Sequence, residues 1–171
     1  MRYGIAVFPS KKMQDLANSL RKRYDPHYAL IPPHLTLKAP FELDESQIKD
    51  ALGKINDIAK SSSPFTLRVL KVGSFHPVNN VIYLRVQHTE GLMAVHDKLN
   101  EGNLKREEPY SFVPHITIAQ NLSDAEHADV YNSLRMRKIE HEETIARFQL
   151  LYQLENESWT VYETFHLGRK E

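Results

Sequence analysis

The chain of 171 residues contains no cysteine, which excludes disulfides, thiolate nucleophiles and thiolate-ligated metal sites without fixing the compartment. It has no excess of charge, with 22 Lys+Arg against 22 Asp+Glu. That balance argues against a broad electrostatic grip on a long nucleic-acid duplex and leaves room only for a local basic cleft. It has no apolar run approaching a membrane span, and the run in Met1–Pro9 is too short for a signal peptide. No heptad announces a coiled-coil interface. A soluble, cytoplasmic protein without membrane contact is expected, its oligomeric state open. Apolar residues make up 41% and charged residues 26%, which suits a compact core in a single domain spanning 1–171.

What the chain does have is a pentapeptide said twice. Pro33-His34-Leu35-Thr36-Leu37 and Pro114-His115-Ile116-Thr117-Ile118 both read Pro-His-apolar-Thr-apolar. In a strand, residues i and i+2 share a face, so each His and Thr point one way while the apolar pair points to the core. Proline lacks an N–H and suits the first residue of a strand, which places each His at a strand start. A half-buried strand with a solvated polar face is the plain alternative for either copy alone. A matched pair carrying imidazoles points instead to a shared site.

The remaining pattern reads as strand 3–8, helix 11–24, His strand 34–41, helix 45–60, and a hairpin of 65–75 with 81–86. Helix 91–100, His strand 115–120, a helix from a Ser123/Glu126 capping box to about Met136, and a long hairpin of 140–154 with 158–167 follow. Apolar stripes are Met13/Leu16/Ala17/Leu20, Ile48/Leu52/Ile55/Ile58 and Leu92/Val95/Leu99. The order repeats: 31 residues separate Tyr3 from His34, and 34 separate Val81 from His115. The fold class is therefore α+β, a bilobal, duplicated β-α-β-α-β unit (repeats about 1–76 and 79–171). A pseudo-two-fold axis would set antiparallel sheets and the two His/Thr faces across a central cleft.

Two imidazoles across a cleft suit general acid–base catalysis, one taking a proton from the attacking oxygen and one supplying a proton to the leaving oxygen. In-line displacement at phosphorus needs both acts, and two Thr hydroxyls can donate to the non-bridging oxygens. A two-His metal site is the rival use, but neither motif brings a third ligand at a fixed spacing. Lys38 shares the face of Thr36 and either adds charge to the cleft or is solvated. Tyr110 and Phe112, just before the second motif, either stack a base or ribose or are plain core. His76 is read as a surface turn residue, His96, His127 and His141 as solvated, and His166 as either. The charged loop 101–108 is read as solvated.

The paired H-x-T-x motifs, about 80 residues apart, resemble the signatures of the 2H phosphoesterase superfamily, which includes bacterial 2′-5′ RNA ligase/cyclic phosphodiesterase-like proteins. The element order fits that family over nearly the whole chain, closest to its small bacterial members. The resemblance implies His34 as proton donor and His115 as acceptor, with the reverse order left open by the symmetry, and Thr36 and Thr117 as phosphate ligands. It implies no cofactor and a nucleotide or RNA-end substrate with a cyclic or 2′-5′ phosphodiester. A nucleotide- or RNA-binding module with little turnover, or ligation as the reverse reaction, are the alternatives.

Overall fold

A computed structural model describes residues 1–102 and 111–168. Among them the elements are β1 (Arg2–Val7), α1 (Lys11–Tyr24), β2 (Leu35–Glu42), α2 (Glu45–Ser61), β3 (Phe65–Ser74) and β4 (Ile82–Val86). They continue with α3 (Glu90–Leu99), β5 (His115–Ala119), α4 (Asp124–Leu134), β6 (His141–Ile145), β7 (Arg147–Gln153) and β8 (Trp159–His166).

The helices start where a short polar side chain can accept an orphan N–H. Ser10 Oγ accepts from the Met13 amide at 3.4 Å, and Thr89 Oγ1 from the Leu92 amide at 3.4 Å. The Ser123/Glu126 box is closed in both directions, at 3.1 and 2.9 Å. A second box, Asp44 with Gln47, opens α2. The buried line of α2 is Ala51/Ile55/Ala59, flanked by the half-buried Ile48, Leu52 and Ile58. The apolar stripe seen in the sequence is thus centred on its small residues, which let the helix approach closely.

Two antiparallel four-stranded sheets result, ordered β2-β1-β7-β8 and β5-β4-β3-β6. The duplicated unit is visible as β1-α1-β2 and β4-α3-β5, each strand pair joined through a helix. The halves interlock rather than stand apart. β3, from the first half, pairs with β4, and β7, from the second, pairs with β1. The long strand expected over 140–154 is divided at Ala146. Before it Ile145 pairs with Phe65 in one sheet, and after it Leu150 pairs with Ile5 in the other. Ile145 and Phe148, the buried residues that flank it, stand three apart, so the period-two pattern slips by one residue where the partner changes.

β2 and β5 are edge strands of their respective sheets and lie against one another. Leu35, Leu37, Ile116 and Ile118 are fully buried on their core sides, while His34, Thr36, His115 and Thr117 are half-buried on the other. A carboxylate ties the lobes at the start of α1. The Ser10 amide donates to both oxygens of Glu143, at 3.0 Å each, and His141 Nε2 lies 2.5 Å from the same carboxylate. The anion sits where the helix dipole favours it. His141 is therefore half-buried and paired, not solvated as its charged sequence context suggested.

Two glycines test this packing with opposite signs. A Cβ on Gly91 would stand 2.6 Å from Phe65 Cβ, whereas one on Gly53 meets nothing within 4 Å. Gly91→Ala is expected to destabilise by about 1–3 kcal/mol through overpacking. Gly53→Ala, in an exposed helix interior, should stabilise by about 1 kcal/mol. Urea denaturation of both variants checks the pair.

Candidate active site

The site follows from what each motif's neighbours do to its imidazole. His34 Nδ1 lies 2.9 Å from the Pro32 carbonyl, and His115 Nδ1 lies 2.6 Å from the Val113 carbonyl. A carbonyl can only accept, so Nδ1 carries the proton in both rings and the neutral form keeps its lone pair on Nε2. The contact spans two residues in both copies, so the two rings are prepared in the same tautomer by the same backbone device.

Two adjoining cavities share Thr36. The first, about 220 Å³, is lined by His34, Thr36 and Thr117 from the motifs, with Arg21, Asp25, Lys38, Gln120 and Trp159. The second, about 530 Å³, is lined by Thr36 and His115 with Leu37, Phe75, Val78, His96, Phe112 and Val113. The first is of mixed polarity and has both Thr residues in its wall. The other is mostly apolar.

Burial depresses both imidazoles. The His34 pKa is lowered to about 4, first by burial and then by the charges of Arg21 and His115, against the opposing Pro32 carbonyl and Asp25. His115 is also lowered by burial, opposed by the Val113 carbonyl. Both rings are therefore neutral at neutral pH in the free protein. His115 is also held edge-on against two aromatic rings, Phe75 at 5.1 Å and Tyr83 at 5.4 Å. Tyr83 needs Gly73 opposite it, since a Cβ there would stand 2.9 Å from its ring.

The structure brings Lys38 into the wall of the first cavity and corrects the solvated reading. It is 2% exposed, with Nζ 3.4 Å from Asn100 Oδ1 and 5.3 Å from the Phe41 ring centroid. Phe112 lines the apolar cavity, but one face is covered by His96, with centroids 3.7 Å apart and planes within 6°. His96 is buried rather than solvated, its Nδ1 donating to Asp97 at 3.0 Å and its Nε2 without a partner among the described residues. His127 is buried as well, 2.6 Å from Ser74 Oγ. His76 and His166 are exposed. Tyr110 and most of the charged loop, residues 103–108, lie outside the described residues.

The sequence reading missed the buried pair Arg21–Asp25, joined at 3.1 Å with both side chains 2% exposed. Arg21 also donates to Asn18 at 2.8 Å and to the Ile31 carbonyl at 2.6 Å, and Asp25 accepts from Gln120 at 2.8 Å. The loop leading to His34 is thereby tied to α1, and α1 to the end of β5. Its sequence signal is an i, i+4 Arg/Asp pair at a helix end before Pro26, a spacing that surface pairs share. Among the described residues no group of three or more His, Asp or Glu is placed to hold a metal ion. No helix among them is long and apolar enough to cross a membrane.

The chain resembles known proteins over nearly its whole length. The family model of the 2′-5′ RNA ligase superfamily matches residues 8–157. A Bacillus pumilus protein named "Putative phosphoesterase" is 58% identical over 170 residues, covering 99% of each chain. A Bacillus cytotoxicus relative of the same description is 59% identical over 169 residues, covering 99% of this chain and 98% of its own. Among solved structures, a Thermus thermophilus protein matches over 100% of both chains with a TM-score of 0.73 and 21% identity. E. coli LigT complexed with 3′-AMP matches over 98% of both, with a TM-score of 0.71 and 18% identity. These two share the fold.

Acid stability tests the environment of His34. Its folded pKa, about 4, lies below the ordinary value of 6.5, so the unfolded chain binds the proton first. The stability it contributes is complete above pH 6.5 and is lost as pH falls from there toward 4. His34→Gln is expected to show a shallower loss of denaturation midpoint over that interval than the wild type. Equal slopes would contradict the assignment.

Proposed function

We propose that this chain, which belongs to the 2′-5′ RNA ligase superfamily and is a phosphoesterase, opens a cyclic or 2′-5′ phosphodiester of a nucleotide or RNA end by metal-independent acid–base catalysis. The observation that carries the reading is the matched pair of motifs on abutting edge strands, each imidazole fixed through Nδ1 to a carbonyl two residues before it. Since both sheets draw strands from both halves, we take 1–171 as one domain. E. coli LigT has been crystallised with 3′-AMP, NADP+ and ATP, which supports a nucleotide ligand here.

A nucleoside 2′,3′-cyclic phosphate would be opened as follows. The phosphate sits at Thr36 and Thr117, whose hydroxyls donate to its non-bridging oxygens and offset charge developing in the transition state. His115 Nε2 takes a proton from water as the water oxygen bonds to phosphorus. The bond from phosphorus to one ribose oxygen breaks, and His34, protonated, gives that oxygen its proton. The product is a nucleoside monophosphate, and solvent returns the proton from His115 to His34. The apolar cavity beside His115 accommodates the base, with Phe75 and Phe112 in its walls.

His34 is neutral in the free protein at neutral pH, so the donor must gain its proton as the anionic substrate enters. A phosphate beside the imidazole favours the charged form and raises its pKa. When protonated, an imidazole of low intrinsic pKa is a strong acid. The rate then depends on one proton shared unequally by two depressed histidines.

The expected pH profile of kcat/KM is a bell with its optimum below 6.5, because the fraction of free protein with His34 protonated falls about tenfold per unit above its pKa of about 4. EDTA should leave the rate unchanged. Thr36→Val and Thr117→Val should each lower kcat by about 10- to 100-fold. An optimum above pH 7.5, or a rate abolished by EDTA, contradicts the mechanism.

A further inference from the structure

The larger compartment is walled on one side by the loop between β3 and β4, which contributes Phe75, Val78 and Asn79. Within the loop, Val78 and Asn79 donate their amides to the Phe75 carbonyl at 2.9 and 3.3 Å, and Phe75 donates to the Val81 carbonyl at 3.1 Å. Phe75 packs on Tyr83 with centroids 4.3 Å apart, and the polar attachment of the loop runs through side chains outside the cleft. Ser74 Oγ accepts the His76 amide at 3.0 Å and lies 2.6 Å from His127 Nε2 on α4. The hydroxyl oxygen receives one proton from the chain, so its own proton is free to be donated to a neutral ring nitrogen. His76 stacks on His127 with centroids 4.8 Å apart and planes within 20°. Asn80 completes the attachment, donating to the Leu122 carbonyl at 3.1 Å and to Asp124 at 2.9 Å while its oxygen meets His76 Nδ1 at 2.8 Å.

We propose that Ser74 and His127 form a latch that fixes the 75–80 loop as a wall of the substrate compartment, so that His127 is a positioning residue whose protonation releases that wall. His127 touches neither motif, but the chain it holds carries Phe75, whose ring meets His115 edge-on at 5.1 Å. Neutral His127 accepts the hydroxyl proton at Nε2. Protonated, Nε2 can only donate, so the Ser74 hydroxyl loses its acceptor and must turn its proton away to offer the lone pair not taken by the His76 amide. Charge on His127 would also face the stacked His76 ring. The titratable groups facing His127 among the described residues are His76 from the loop, and Asp124 and Tyr131 from its own helix. Burial first, then His76, keep its pKa below the usual histidine value, with Asp124 opposing. The latch therefore stays closed at neutral pH and opens as pH falls below the ordinary histidine range.

Two readouts test this, the first independent of any activity. In the free wild-type protein, ring 15N shifts should show His127 Nε2 as the unprotonated nitrogen at pH 7.5. The backbone amide signals of Val78 and Asn79 should change with the same midpoint as the His127 titration. Ser74→Ala and His127→Leu should give the acid-type loop signals already at pH 7.5. His127→Gln keeps an acceptor near the Nε2 position but cannot titrate, so it should retain the neutral-type signals and lose the acid change. Loop amides indifferent to His127 titration, or an unaltered acid change in His127→Gln, overturn the proposal. The second readout rests on the proposed phosphoesterase activity, with a nucleoside 2′,3′-cyclic phosphate as substrate. KM of wild type should rise about tenfold across the His127 titration relative to His127→Gln, with the same kcat in both. A difference in kcat alone overturns the positioning role. Absence of turnover would count against the activity, while the loop signals still decide the latch.

Discussion

A strand residue can face only one of two sides, and two short edge strands here commit one side to the core. Leu35/Leu37 and Ile116/Ile118 are wholly buried, so His34/Thr36 and His115/Thr117 are left with the opposite face. A slip of one residue in either strand would send its imidazole into the core. The abutting of these two edges then brings two independent backbone constraints to one place. Everything chemical about the site depends on that alternation: the shared Thr36 between the two cavities, the carbonyl locks on Nδ1, and the desolvation that keeps both rings neutral.

The interlocked sheets explain why such a short motif can be held firmly. Neither half of the chain forms a complete sheet, since β3 and β7 each cross to pair with the opposite half's first strand. Arg21, buried at the end of α1, reinforces the crossing by binding Asp25 and the Ile31 carbonyl just before His34, while Asp25 reaches Gln120 just after β5. An isolated buried ion pair contributes little net stability, but removing one partner strands a charge. Its position makes it a brace between the approaches to both motifs, and its cation adds to the field that disfavours a charged His34.

Much of this was legible in the sequence, because it is written in local period. Helix starts with short polar caps, the alternation of the two pentapeptides and the duplicated order need only neighbouring residues to be read. What was not legible depends on contacts distant in sequence. The strand expected over 140–154 exchanges β3 for β1 at Ala146, and the slip of its apolar period there, from Ile145 to Phe148, does not say which strand comes next. His96, His127 and His141 sit among charged or polar residues, yet Phe112 stacks on the first, Ser74 meets the second, and Glu143, held by the distant Ser10 amide, meets the third. Period two puts Lys38 on the face of Thr36, but its burial depends on Asn100 at the end of α3.

The most direct measurement is hydrolysis of a panel of nucleoside 2′,3′-cyclic phosphates and a 2′-5′ dinucleotide by wild type, His34→Ala and His115→Ala, with EDTA present. Turnover by the wild type is expected, with losses of about 100-fold or more in each variant and one regioisomer of the monophosphate from the cyclic substrates. Equal turnover by all three proteins would place the chemistry elsewhere and contradict the paired-imidazole site.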